Sequence, residues 1–140
     1  MGKYFFLIFA FNLTLFSFGQ NKDCCDTCTT IFDSISQRTV YITVDNMPKF
    51  PGGLDSLDFF LKDNFQKTPR VEADIVGSIY ISFIIETDGS TTNKKLLKGL
   101  YKDYDEAALK IIDMMHRWKP GTCKGKSVPV KYVVPFRVYL

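Results

Sequence analysis

The chain has 140 residues, enough for one compact domain and too few for two ordinary ones. Its 46% hydrophobic and 24% charged residues are typical of a globular protein, which excludes disorder of the whole chain. The formal net charge of +3 is too small to indicate a nucleic-acid partner.

The first nineteen residues have the pattern of a secretory signal peptide. Lys3 is their only charge, and residues 4–18 form an apolar run shorter than the roughly 20 residues of a membrane span. Ser17 and Gly19 are small residues at a spacing typical of a cleavage site, so we expect cleavage after Gly19. The alternative is an uncleaved helix that anchors the protein in the inner membrane.

The four cysteines are Cys24, Cys25, Cys28 and Cys123. Export would place them in an oxidising compartment, which favours disulfides or one cysteine left for an intermolecular link. The Cys25-x-x-Cys28 spacing is also seen in zinc sites, but a second close pair is missing, so no metal site is predicted. The sequence does not determine which cysteines pair.

Residues 20–46 are polar and predict a tether, with one β-prone run over 39–44. The two prolines and two glycines of residues 47–53 predict a loop. Helical spacing of apolar residues then predicts a helix over 53–65. These residues are Leu54, Leu57, Phe60 and Leu61.

Period-two alternation over residues 75–86 predicts a strand whose odd-numbered side chains face the core. Asp88-Gly89 predicts a type I′ hairpin turn, and residues 90–97 return as a second strand. Asp103 and Glu106 predict a capping box at the start of a second helix. The apolar stripe of that helix is Ala108, Ile111, Ile112 and Met115.

Alternation predicts a last strand over residues 128–139. The order helix, strand, strand, helix, strand predicts an α+β fold, with a small antiparallel three-stranded sheet and both helices packed on one face. The single histidine, His116, has no nucleophile motif beside it, and no phosphate-binding or metalloenzyme motif is present. We therefore expect no enzyme activity, no cofactor and no small-molecule substrate.

Two prolines in the last strand indicate how its edges are used. Pro129 and Pro135 lack an N–H and are six residues apart, so both missing donors lie on the same edge. Odd-numbered backbone groups would then face outward, and Lys131, Val133 and Arg137 would offer free groups to a guest strand. The same prolines and charges are also typical of an edge that is only guarded against aggregation.

An ordered set of motifs resembles a known family. The motifs are Met47-Pro48-x-Phe50-Pro51-Gly52-Gly53, the Asp88-Gly89 hairpin, Glu106-Ala107-Ala108-Leu109, Trp118-Lys119-Pro120-Gly121 and Gly125-Lys126-x-Val128-Pro129-Val130. Residues 47–140 resemble the C-terminal domain of TonB energy transducers, in the form common among Bacteroidetes.

The resemblance implies a periplasmic domain that binds the TonB box of outer-membrane receptors by strand addition, in energy-coupled nutrient transport. It implies structural roles for Pro51, Gly52, Gly53, Trp118, Pro120 and Gly121, and partner contacts from Gln66 and Lys67. Those two precede a Tyr-Pro pair in the family, whereas this chain has Thr68-Pro69.

A departure from the family lies before residue 47, where the proline-rich spacer of TonB transducers is missing, since all six prolines lie at or after Pro48. Two functions therefore stay open. The first is a module that binds TonB-dependent receptors. The second is a structural or assembly protein of the envelope that uses the same edge for another partner or for a homodimer.

Overall fold

A computed structural model describes residues 28–66 and 76–139. The predicted signal peptide, Cys24, Cys25 and Lys67 lie outside these residues. The elements in chain order are β1 (Thr29–Asp33), β2 (Arg38–Thr43), α1 (Gly53–Gln66), β3 (Val76–Ile85), β4 (Thr91–Lys98), α2 (Lys102–Asp113), β5 (Gly121–Cys123), β6 (Lys126–Val128) and β7 (Val130–Tyr139).

The main sheet has five strands in the order β1-β2-β7-β3-β4, and β5 and β6 form a separate two-stranded sheet. The α+β class is confirmed, but the expected sheet of three antiparallel strands is too small. The additional strands come from residues 29–43, within the segment predicted as a tether, and β2 runs parallel to β7. β-branched runs on both sides of a short turn, in which Gln37 has a φ of 52°, explain the β1–β2 hairpin.

Both helices cover one face of this sheet. The odd-numbered side chains of β3 and the even-numbered side chains of β7 face them. The buried helical residues in this core are Leu57, Leu61, Tyr104, Ala108, Ile111 and Ile112. The stripe predicted for the second helix therefore packs on the sheet, whereas Leu54, at the start of α1, is exposed.

The β3–β4 turn differs from the predicted type I′ turn, which needs two residues with positive φ. Only Gly89 has a positive φ, 84°, and its N–H donates to the Glu86 carbonyl at 2.9 Å. The Asp88 carboxylate instead accepts bonds from the N–H and the hydroxyl of Ser90. These bonds hold Asp88 out of the left-handed region, and they lower the pKa of its carboxyl group.

The capping box predicted for the second helix is also wrong. The helix begins after Tyr101, and no side chain caps its first turn. Asp105 reaches back and accepts a bond from the Leu100 N–H at 2.9 Å. The carboxylate at the start of the helix thus closes the preceding loop.

Candidate partner-binding edge

The direction of the backbone groups of β7 follows from its pairing with β3. Pro135 lies opposite Tyr80 in this antiparallel pair. Proline has no N–H, so this position must be one of the pairs that exchange no hydrogen bonds, and such pairs alternate along a ladder. Odd-numbered N–H and C=O groups of β7 therefore point away from β3. The carbonyl of Pro129 agrees, because it accepts a bond from the Tyr41 N–H of β2 at 2.9 Å.

β2 covers only the beginning of this outer edge. Its register with β7 consists of one pair, Tyr41 with Val130. In this parallel pair Tyr41 bonds to the residues on both sides of Val130, so the outward N–H of Lys131 is also used. Among residues 28–66 and 76–139, no other strand pairs with the outer edge, so its backbone groups from Val133 to Tyr139 have no strand partner there. At about 3.3 Å per residue, this length of edge is roughly 23 Å. It fits a short extended peptide.

The three side chains predicted for this edge have different environments. Val133 is 44% exposed and Arg137 is exposed. Lys131 is occupied, because its Nζ lies 2.8 Å from Oδ1 of Asp33 at the end of β1. The lysine predicted as a partner contact therefore holds the β1–β2 hairpin onto the sheet, while Val133 and Arg137 face outward.

Asp33 is the charged centre of this contact, with only 4% of its surface exposed. Its other carboxylate oxygen accepts bonds from the Ser36 N–H and hydroxyl, both at 2.8 Å. The hydrogen bond from Lys131, followed by those from Ser36, holds the pKa of Asp33 well below its usual range. A carboxylate with this set of donors stays ionised when buried. The hairpin is further joined to β3 by an ion pair between Arg38 and Glu86.

Gln66 is the last residue of α1 and is exposed. The ring of its neighbour Phe65 contacts Phe136 of β7, with centroids 6.0 Å apart. This contact brings the end of α1 to the helix-covered side of the strand whose edge is free. The second residue predicted there, Lys67, lies outside the described residues.

The predicted motif residues meet around Trp118 at one end of the sheet. Its indole packs on Phe50, which precedes the Pro51-Gly52-Gly53 loop, and on Tyr132 of β7, with ring centroids at 5.3 and 5.1 Å. Half-burial in this cluster raises the pKa of Tyr132. Lys119 forms paired backbone bonds with Lys49. These motifs thus build a support at the beginning of β7.

Gly89 and Gly121 are positions of close approach in this support. The backbone N–H of Trp118 donates to the Gly89 carbonyl at 2.8 Å. A Cβ on Gly89 would lie 2.0 Å from the backbone carbonyl oxygen of Trp118. A Cβ on Gly121 would lie 2.7 Å from a methyl group of Val130. Gly121 lets β5 approach the first residue of the last strand.

A disulfide joins Cys28 to Cys123 of β5, with the Cα atoms 6.2 Å apart. Asp45, nearby, accepts a bond from the Lys124 N–H at 2.7 Å. Lys124 and Gly125 both have positive φ, 50° and 76°, so the type I′ geometry expected at Asp88-Gly89 occurs in the β5–β6 turn. These contacts fix the chain just before β1 beside the turn that leads into β7.

Tyr41 and Asp33 were missed by reasoning from sequence. Both act on β7, one on its backbone and one on Lys131. The available signal was the pair of β-branched runs at residues 29–32 and 39–43, separated by a short polar stretch, which is a hairpin pattern.

Comparison with known proteins supports the interpretation of this domain. Residues 70–139 match the family described as Gram-negative bacterial TonB protein C-terminal, so the match covers half of the chain. No curated protein and no solved structure matches the chain. The helices that the structure describes are all too short or too polar to cross a membrane. The chain belongs to the TonB C-terminal family, whose members are protein-interaction domains of the Gram-negative envelope.

Proposed function

We propose that this protein is a periplasmic module that binds TonB-dependent outer-membrane receptors by adding a receptor strand to the outer edge of β7. Membership of the family supports a role in envelope transport. The observation that carries the proposal is the unpaired edge from Val133 to Tyr139, with its odd-numbered backbone groups directed outward. The leader-like residues 1–19 and the cysteines support the periplasmic location.

The guest would be the TonB box, an extended receptor segment. Each main-chain hydrogen bond contributes roughly 0.5–1.5 kcal/mol net, so several bonds along the edge give an affinity suited to a reversible contact. Val133 and Arg137 supply both N–H and C=O groups, whereas Pro135 supplies only C=O. Lys131 also supplies only C=O, because its N–H pairs with Tyr41 of β2. A guest strand would therefore find one missing donor at Pro135.

Two adjacent proline substitutions test this edge. Val133→Pro removes an outward N–H at a position equivalent to Pro135, which the strand already tolerates. We expect it to stay folded and to bind a TonB-box peptide about tenfold more weakly, because the donor is lost and the ring fills its place. Val134→Pro removes a donor directed at Ile81 and a side chain that is 1% exposed. We expect a loss of about 3 kcal/mol of unfolding free energy.

Peptide titration by fluorescence anisotropy and thermal melts on the two variants give the readout. Normal peptide binding by a folded Val133→Pro variant would show that the edge is not the site. Equal destabilisation by both prolines would show that odd-numbered groups bond within the sheet. Sedimentation of the wild-type protein in the absence of peptide distinguishes the envelope-assembly alternative, since self-pairing through the edge would give dimers that Val133→Pro dissociates.

A further inference from the structure

The face of the sheet opposite the helices carries an unusual set of side chains. Residues directly opposite each other on neighbouring strands point to the same face. Ser82 lies between Lys95 and Val133, and Tyr80 lies between Lys98 and Pro135. The neighbouring β3 residues 79, 81, 83 and 85 are buried under the helices, so these two rows are on the other side. Ser78, opposite Arg137, adds a third row.

We define the open face as these three rows, in which Ser82 is itself buried, and its free charges are all positive. Lys95, Lys98 and Arg137 are exposed, and none of them has an ion pair or hydrogen bond within residues 28–66 and 76–139. The two carboxylates on the adjoining hairpin side, Asp33 and Glu86, already accept bonds from cations of the fold. Positive charges held together in this way create a local potential that attracts anions.

Apolar surface lies between the charges. Tyr80 is 39% exposed and Val133 is 44% exposed, and Pro135 beside them is also exposed. They occupy the middle and one side of the face, with Lys95 and Lys98 on the other side and Arg137 at the end. A ligand that fits this face needs anionic groups at its margins and apolar groups over Tyr80.

The spacing of the rows identifies the form of such a ligand. Successive rows are separated by two residues of a strand, about 6.7 Å, and each row has one cation. An extended polypeptide repeats its side chains on one face at the same interval. Carboxylates at every second residue would therefore meet Lys95 and Lys98, which a register shift in β4 places opposite Ser82 and Tyr80, whereas Arg137 lies across β3 from these two lysines. Lipid headgroups offer charge without this fixed interval.

We propose that the open face binds an extended acidic polypeptide segment with carboxylates at alternate residues. This surface is distinct from the outer edge of β7, because it uses side chains that project from the plane of the sheet, whereas the edge uses backbone groups within that plane. A partner on the open face leaves those backbone groups accessible, although the side chains of Val133 and Arg137 border both surfaces. The inference therefore goes beyond the receptor contact and does not depend on it.

The test uses the full protein as the cell processes it and two fluorescent twelve-residue peptides, one with glutamate at alternate positions and one with glutamine instead. We expect the glutamate peptide to bind and to weaken several-fold when salt rises from 50 to 300 mM, as exposed charges become screened. Lys95→Gln/Lys98→Gln should bind it about tenfold more weakly, the combined effect of two surface ion pairs. Lys102→Gln/Lys110→Gln, which removes the same charge from exposed positions on α2, should change binding less than twofold.

Equal loss in the two double variants, or equal binding of the glutamine peptide, would overturn the proposal, because either result indicates attraction by net charge or by apolar contact alone. Vesicles of phosphatidylcholine with 30% phosphatidylglycerol provide the remaining comparison. Binding to these vesicles that exceeds binding to the glutamate peptide and falls in Lys95→Gln/Lys98→Gln would assign the face to a membrane surface instead. Thermal melts check that both double variants are folded, and we expect unchanged midpoints because all four lysines are exposed.

Discussion

Loss of the Cys28–Cys123 disulfide should lower stability by several kcal/mol. The two residues are 95 positions apart, so the bond closes a loop that contains most of the folded chain. In the chain-entropy description, a loop of this length restricts the unfolded state by about 4–5 kcal/mol. Domains of this size have unfolding free energies of only about 5–15 kcal/mol. The Cys28→Ser/Cys123→Ser variant should therefore fold with a small remaining margin.

Urea denaturation followed by tryptophan fluorescence measures this loss, because Trp118 is buried in the folded protein. With an m-value of about 2 kcal/mol/M, a loss of 4 kcal/mol lowers the midpoint by about 2 M. The Cys24→Ser/Cys25→Ser variant is the matched control, since it removes two sulfur atoms and keeps Cys28 and Cys123. Its midpoint should lie close to that of the wild type.

The local effect of the disulfide is a separate part of the same prediction. The bond fixes the chain before β1. The other described contacts of the β1–β2 hairpin include one backbone pair with β7, two ion pairs and the packing of Tyr41 on the cluster of Cys123 and Val130. Without the bond, amide exchange should increase first in residues 29–43. A double variant within about 1 kcal/mol of the wild type, with unchanged exchange in the hairpin, would refute the argument.

Two further predictions concern Asp33 and the glycine turns. Lys131 and Ser36 lower the pKa of Asp33, so the ionised carboxylate adds to the unfolding free energy in full above its unfolded pKa of about 4, and this contribution is lost as the pH falls toward the folded pKa. Asp33→Asn should therefore flatten the decrease in unfolding free energy measured between about pH 4 and 2. Asp58→Asn, at an exposed position, is the control. Gly89→Ala should lower the unfolding free energy measured by chemical denaturation by roughly 3 kcal/mol, because the positive φ and the Trp118 carbonyl both oppose a Cβ. Gly125→Ala, where φ is positive but the space is open, should lower it by about 1 kcal/mol. Equal losses would show that the Trp118 contact is unimportant.

Elements with strong hydrophobic periodicity could be predicted from sequence. The predicted helix over 53–65 and the predicted strand over 75–86 lie within one residue of α1 and β3. The two turn and cap predictions failed for a common reason, namely competition from local carboxylates. Asp88 bonds to Ser90 and does not adopt the positive φ of a type I′ turn. The second helix begins at Lys102, before Asp103, and Asp105 bonds to the Leu100 N–H.

The candidate edge was partly predictable, because the absence of an N–H in proline is a local property that fixes the direction of neighbouring groups. The contacts of β1 and β2 were not predictable in this way. The Asp33–Lys131 bond joins residues 98 positions apart, and no periodicity in either segment specifies the other. Lys131 was therefore expected to be available to a partner although it is occupied within the fold.

The β1–β2 hairpin consequently determines where a guest strand on β7 can begin. Tyr41 pairs with the backbone on both sides of Val130 and Asp33 binds the Lys131 ammonium, so a guest that keeps these contacts is confined to the edge beyond Lys131. A guest that extended past Val130 would have to displace β2, break a buried ion pair and expose Asp33, which is unfavourable for an ionised carboxylate. The hairpin thus sets the register of the added strand from one end. Val133 and Arg137 are then the side chains on this strand best placed to select the residues of the guest.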